Sequence, residues 1–251
     1  MRYIYAFSLL LCFQFSDAQD YIKTSQNILQ AIKEGRSAQT YVEEIAKADP
    51  QQLAAQINTD RKRLAFWINL YNGLIQYKLK QDPTLYQDRD DFFSDDILTV
   101  AGEKVSFDNL EHGVLRRGTS KYSLGYFKNP FAGDWHEPYM VDEIDWRIHF
   151  ALNCGAASCP PVRIYDEQTV NEQLNASTRQ YLDQQVRYNK AENEVYVPKL
   201  MDWFRGDFGG LDGAAEILVE LDYIPNDEVD LEFKEYDWTM KIGPKVFYQQ
   251  D

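Results

Sequence analysis

Three cysteines and three histidines in 251 residues leave this chain few of the side chains that metals and thiol enzymes use. It has no glycine-rich phosphate loop, no G-x-S-x-G elbow and no H-E-x-x-H pair, which closes three common routes to phosphoryl transfer, serine hydrolysis and zinc proteolysis. Basic residues are in deficit, with 26 Lys and Arg against 40 Asp and Glu and a net charge of −14. Such a chain repels phosphate backbones and anionic membranes, so no nucleic-acid partner is expected. The acidity is spread along the sequence rather than blocked into a tail, which reads as a solvated surface. No apolar run is long enough for a membrane span. Internal repeats, low-complexity tracts and long Gly/Ser/Pro linkers are also missing, which favours one domain.

Residues 1–18 read as an export leader. Met1-Arg2 is a short basic start, Ile4 to Phe15 is mostly apolar, and Ser16-Asp17-Ala18 ends on a small residue. Cys12 falls inside this leader and lacks the small neighbours of a lipoprotein site. The mature chain, residues 19–251, is expected to be exported to the periplasm or the extracellular space as a single domain. Its length and its 14% aromatic content suffice for a substantial core.

Short amphipathic helices are expected over residues 20–58, with Ile28, Leu29 and Ile32 on one face and Val42 and Ile45 on the next. From Asp60 to Lys80 the apolar residues Leu64, Trp67, Ile68, Tyr71, Leu74, Ile75 and Leu79 recur at helical spacing. No charge occurs from Leu64 to Tyr77, so this helix should be buried nearly all round. Its polar sector, Asn69, Asn72, Gly73 and Gln76, either bonds neighbouring backbone or lines a polar pocket. Ile97–Val100 and Lys104–Ser106 flank Ala-Gly-Glu as a hairpin. Ser106 or Asp108 can cap a following helix, Phe107 to Arg117. On a regular helix Glu111 falls inside its apolar stripe and His112 on the flank, a costly place for a carboxylate unless it is paired or protonated.

A long aromatic loop with His136 beside Trp135 is expected over residues 121–143. Trp146 to Cys154 reads as a central strand, followed by a helix near Glu167–Gln185 and a hairpin of Val186–Tyr188 with Val195–Val197. Segments Leu200–Phe208 and Ala214–Leu221 and a last strand near Phe233–Trp238 close the chain. Strands and helices are mixed without regular alternation. The class is α+β, a helical N-terminal layer around a buried central helix, packed on a small mixed or antiparallel sheet.

The run His149-Phe-Ala-Leu-Asn-Cys154-Gly-Ala-Ala-Ser-Cys159-Pro-Pro161 delivers two sulfurs from a rigid element onto a small-residue loop. Cys154 and Cys159, spaced C-x4-C, form either a structural disulfide or a site with a thiol nucleophile. On a strand His149 and Cys154 would lie about 16 Å apart and face opposite ways, so His149 could serve only Cys159. His112 is then the natural base for Cys154, with Glu111 a buried polariser and Asn72 an oxyanion donor. Adjacent helix positions do not face each other, so Glu111 should meet the strand or the amide sector of the long helix instead of His112. The same residue types could hold zinc, but H-x4-C and C-x4-C match no strong zinc signature, so neither metal nor cofactor is expected.

Ala65-Phe-Trp-Ile-Asn-Leu-Tyr-Asn72, Phe107-Asp-Asn-Leu-Glu-His-Gly-Val-Leu-Arg116, Arg147 to Pro161 and Asp202-Trp-Phe-Arg-Gly-Asp-Phe208 resemble, in order and spacing, the motifs of the domain of unknown function 547 family. The resemblance covers residues 60–210 and, more loosely, Tyr236-Asp-Trp238. It implies no settled activity. Members include exported bacterial proteins and plant proteins, some fused to thioredoxin-type modules, and that association favours thiol chemistry by analogy. Glu143-Ile-Asp-Trp146 stands where members tend to have Asp-Pro.

These readings lead to one first expectation and two rivals. The first is a thiol-dependent hydrolase or acyl transferase with Cys154 as nucleophile, His112 as base, and Glu111 and His149 completing the cluster. Asn69, Asn72 and Cys159 would then contact a small-molecule or peptide ligand. The rivals are a non-catalytic ligand-binding or envelope-associated module with a structural disulfide, and a thiol redox protein. C-x4-C lacks the two-residue spacing of the common redox motif.

Overall fold

The computed structural model describes residues 19–130 and 133–248; the leader-like residues and Cys12 lie outside the described residues. Asp20 accepts from the Lys23 N–H at 2.9 Å and so caps α1 (Tyr21–Lys33). After α2 (Gln39–Ala46), Asp49 caps α3 (Pro50–Gln56) in the same way, with Pro50 at the first helical position. The apolar faces of these helices, among them Ile28, Leu29, Ile32, Ile45 and Leu53, are buried, and α1 packs along α4 (Asp60–Gln81). Gly73 makes that contact possible: a Cβ there would lie 2.6 Å from Ile28 Cγ2. Every residue of α4 from Leu64 to Gln76 is buried, as the absence of charge over that stretch predicts.

Asp88 caps a short helix absent from the sequence reading, α5 (Arg89–Ser94). Then β1 (Leu98–Val100) and β2 (Glu103–Val105) form the expected hairpin, turning on Ala101 and Gly102, both at positive φ. Ser106 and Asn109 exchange side-chain and backbone bonds at 2.8 and 3.1 Å and start the next helix. This helix is wider than an α-helix over Asn109–Leu115. Arg116 N donates to Glu111 O and Gly118 N to Gly113 O, both at 2.8 Å and both i→i+5.

Residues 146–154 are not a strand. Trp146–Phe150 forms a tight 3₁₀ turn and the chain then runs as a loop. Asp145 accepts from the Arg147 N–H at 3.0 Å and caps the turn, and Ile148 O receives the N–H groups of both Ala151 and Leu152 at 2.9 Å. A short apolar run cannot distinguish a buried strand from a buried helical segment, and here the local cap decides. The loop over 121–143 also carries 3₁₀ turns, at Lys121–Ser123 and Asp134–Tyr139.

The expected second helix is α6 (Val170–Gln185), against which the second sheet packs. In that sheet β3 (Arg187–Asn189) pairs antiparallel with β4 (Glu194–Val197). The other neighbour of β4 is β5 (Asp230–Phe233), which runs parallel to it in the register Val195↔Leu231 and Val197↔Phe233. The last strand therefore ends where the sequence reading has it begin. Residues 234–238 leave the sheet and carry Tyr236 and Trp238 elsewhere. Between β4 and β5 lie α7 (Leu200–Trp203) and α8 (Gly210–Glu220). The α+β class holds, with two hydrophobic clusters: one around α4, the other among α6, α8 and the second sheet.

Candidate functional site

The amides of α4 act as a second backbone. Asn69 donates to Tyr165 O and accepts from Tyr165 N, both at 2.8 Å. Asn72 donates to Ala151 O at 2.9 Å and accepts from Asn153 N at 2.7 Å. Gln76 donates to the Asn153 side chain at 3.2 Å and accepts from Gly243 N. Asn153 in turn donates to Pro160 O and accepts from Gly155 N, tying both ends of the cysteine loop together. Asn69 and Asn72 are fully buried and do not line the cleft described next. They hold the loop that reaches it. Gly155 completes the fit at φ +88°, where a Cβ would also meet Leu79 Cδ1 at 2.7 Å.

A cleft of about 300 Å³ opens where the two hydrophobic clusters meet. Glu111 and His112 from one stretch of chain, and His149 and Cys154 from another, all line it. Loss of the strand removes the opposite-face argument for His149 and Cys154, which share one cavity. Phe93, Trp203, Phe204, Tyr236 and Trp238 form an aromatic wall, and Asp90, Asp108 and Lys121 add charge. Trp203 stacks on Trp238 at 5.6 Å, with Tyr236 packed against both.

Glu111 meets Tyr71 of α4, whose hydroxyl donates to its carboxylate, instead of the amide sector. Burial pushes the Glu111 carboxyl up to about 7, helped by Asp108 and opposed by the Arg116 charge and the Tyr71 bond. Asp108, His112 and Arg116 follow one another at four-residue intervals. Arg116 Nη1 lies 2.7 Å from His112 Nδ1, and His112 Nε2 lies 3.6 Å from Asp108 Oδ1. Because Arg can only donate, His112 Nδ1 accepts and the proton sits on Nε2. Burial, then the charges of Arg116 and Lys121, lowers the His112 pKa well below its ordinary value, so the ring is neutral.

Behind this row sits a closed ion pair. Arg116 Nε donates to Asp207 Oδ2 and its Nη2 to Oδ1 at 3.0 Å, and both side chains are almost fully buried. His149 Nε2 completes the set at 2.8 Å from Asp207 Oδ2. Burial alone would raise the Asp207 carboxyl, yet the hydrogen bonds from His149 and Arg116 and the Arg116 charge hold it at about 2. With Asp207 ionised, His149 Nε2 is the donor. Burial lowers its pKa more than Asp207 raises it, so His149 is neutral too. Phe204 stacks on the His149 ring at 4.0 Å and on the Arg116 guanidinium at 4.7 Å.

Cys154 and Cys159 are bonded to each other. Cys154 is half-buried on the cleft wall, whereas Cys159 is not part of that wall and instead borders a second hollow shared with Tyr248 and Lys245. The Cys159 sulfur lies 3.0 Å from Cys154 N, 3.3 Å from Ala156 N and 3.2 Å from the Tyr236 hydroxyl. Sequence reasoning passed over Arg116, Asp207, Tyr71 and Tyr236. All four lie inside quoted motifs, and the one local sign of an interaction is that Arg116 stands four residues after His112. No sequence signal ties Tyr71 to Glu111, or Tyr236 to the cysteines. Among the described residues no group of three or more His, Cys, Asp and Glu side chains is disposed to hold a metal ion.

Fold and site together define an α+β protein with a largely aromatic cleft that holds a few charged and imidazole groups and is bordered by one sulfur of a disulfide. The family described as "Protein of unknown function, DUF547" matches over residues 55–182, just over half of the chain, and the chain belongs to that family. No curated protein and no solved structure matches it.

Proposed function

We propose that the cleft carries thiol chemistry with Cys154 as the sulfur that meets the substrate, and that in the bonded form this chemistry is thiol–disulfide exchange. The observation that carries the reading is the asymmetry of the two sulfurs. Cys154 borders the cleft; Cys159 is buried, and two backbone N–H groups point at its sulfur, while the Tyr236 hydroxyl is shared, 3.2 Å from Cys159 Sγ and 3.3 Å from Cys154 Sγ.

An incoming thiol loses its proton to the Glu111 carboxylate, which near neutral pH is present in both forms. The thiolate attacks Cys154 Sγ, a new S–S bond forms, and the Cys154–Cys159 bond breaks with its electron pair left on Cys159. The two backbone N–H groups stabilise that charge, and the shared Tyr236 hydroxyl can turn to it once the bond opens, as an easily released sulfur requires. A second thiol of the same substrate then attacks the mixed disulfide. It forms the substrate's own disulfide, releases Cys154, and leaves two electrons on the cysteine pair. A substrate disulfide entering by the reverse steps takes them back. The aromatic wall and the volume suit a small dithiol or the cysteines of a peptide. Export fits the same reading, since an oxidising compartment keeps such a pair bonded.

A second reading has its own support. Once reduced, Cys154 shares the cleft with Glu111, a carboxyl able to take its proton, which is the hydrolase or acyl-transferase arrangement. Arg116 weighs against His112 as the base, because it occupies the ring's lone pair.

The test is to treat the native protein with excess glutathione, quench with acid, and map the adducts by mass. Exchange predicts a mixed disulfide on Cys154 in the wild type and none in Cys154→Ser. In Cys159→Ser, where no internal disulfide is left to open, oxidised glutathione supplies the second sulfur and the adduct on Cys154 accumulates. A pair that stays bonded under these conditions removes the reading and leaves the binding module. An adduct confined to Cys159 in the wild type reverses the proposed roles. Fractionation of the producing cells tests export.

A further inference from the structure

One loop beside the cleft breaks two regularities of this chain. From His112 to Gly133 there is no Asp or Glu, although the chain holds 40, while Arg116, Arg117, Lys121 and Lys128 all fall there. The same stretch carries four of the protein's few exposed large apolar side chains: Tyr122 at 86%, Phe127 at 73%, Tyr126 at 53% and Leu124 at 39%. Their exposure is held in place by the loop's own bonds. Thr119 bridges Lys128, Ser120 N donates to Phe127 O at 2.9 Å, and Tyr126 N donates to Ser123 O at 3.0 Å. Gly206 N donates to Leu124 O at 2.7 Å and anchors the tip. Gly125 allows this approach, since a Cβ there would stand 2.9 Å from Asp207 N.

From this combination we infer that the knuckle over residues 120–128 docks the protein on an anionic lipid surface, with its aromatic tip in the headgroup layer. Tyrosine and phenylalanine partition into that layer because their rings are apolar while the tyrosine hydroxyl stays wet. Of the four cations, Asp207 neutralises Arg116 and Asp108 pairs with Lys121. Arg117 and Lys128 stay exposed at the base of the loop. The overall charge of −14 does not cancel them at the contact, because at physiological salt a charge is felt over only about 8 Å. An isologous contact with a second copy would set these cations against themselves, which disfavours that occupant. Tyr122 also lines the cleft, so docking places the cleft mouth at the interface. The inference does not depend on the thiol reading.

Flotation of the mature chain tests it, with vesicles of phosphatidylcholine alone and of equimolar phosphatidylcholine and phosphatidylglycerol. Binding is expected to the mixed vesicles at physiological salt, where the distant acidic charge is screened, weakening as salt rises further. Tyr122→Ser with Phe127→Ser, and separately Lys128→Glu, should each cut partitioning by about tenfold, with melting temperatures near the wild type to show that both variants fold. The assignment is overturned if the wild type floats with neither vesicle or equally with both, or if the folded variants bind unchanged. Self-association on gel filtration that the same substitutions abolish would overturn it in favour of a second copy.

Discussion

Arg116 Nη1 meets His112 Nδ1 at 2.7 Å, and this single bond decides what the histidine can do. A guanidinium never accepts and does not lose its proton in a protein, so Nδ1 must keep its lone pair toward it. The remaining proton is on Nε2, toward Asp108 and the cleft. His112 is therefore a neutral donor to whatever enters.

Nitrogen NMR of the imidazoles checks this directly. His112 is expected to show the Nε2–H tautomer and to stay neutral well below pH 6.5, in line with its lowered pKa. A ring that titrates near 6.5, or one protonated at Nδ1 when neutral, would sink the assignment and reopen the Cys154–His112 dyad.

The sequence exposes some of these relations and hides others for identifiable reasons. The burial of α4 is legible because the fourteen positions from Leu64 to Tyr77 leave no charged face, and the β1–β2 hairpin is legible because Ala-Gly-Glu separates two short strand-like segments. The anomaly of Glu111 is visible as a carboxylate on an apolar stripe, and its raised pKa is the physical consequence. Tyr71 is its partner, and nothing local in the sequence marks that contact. The 3₁₀ turn at Trp146–Phe150 is hidden because its apolar residues fit either period; Asp145, which decides the matter, looks like any surface acid. Asp207 is hidden for a different reason. Its role comes from Arg116, 91 positions earlier, and His149, 58 positions earlier, which only the tertiary fold brings together.

The peptide-like pairing of Asn72 with Ala151 O and Asn153 N predicts a large cost on truncation. Asn72→Ala leaves one buried carbonyl and one buried N–H unpaired, at about 1–3 kcal/mol each. Asn72→Asp keeps an acceptor for Asn153 N–H but turns a second oxygen toward Ala151 O, so it should lose a comparable amount. Urea denaturation of the two variants measures both. A loss under about 1 kcal/mol in Asn72→Ala would mean that water replaces the clamp and that the cysteine loop does not depend on it.

Glu111 predicts a pH dependence whose sign can be worked out. Its ordinary value is 4.5 and burial raises it to about 7 in the folded protein. A carboxyl raised on folding stabilises the native state fully below its unfolded pKa. That contribution falls away as pH climbs from about 4.5 to about 7, by on the order of 3 kcal/mol. The three histidines, all lowered on folding, slope the other way, since below pH 6.5 the unfolded chain takes up protons that the native rings refuse. The raw stability curve mixes both, and only a difference isolates Glu111. In Glu111→Gln the site stays neutral at every pH and can still accept from Tyr71. The variant should therefore match the wild type near pH 4.5 and gain on it progressively toward pH 8. Denaturation midpoints of the pair at four or five pH values trace that difference. A flat difference would show that Glu111 titrates normally in the folded protein, and with it would go the proton carrier on which the exchange chemistry relies.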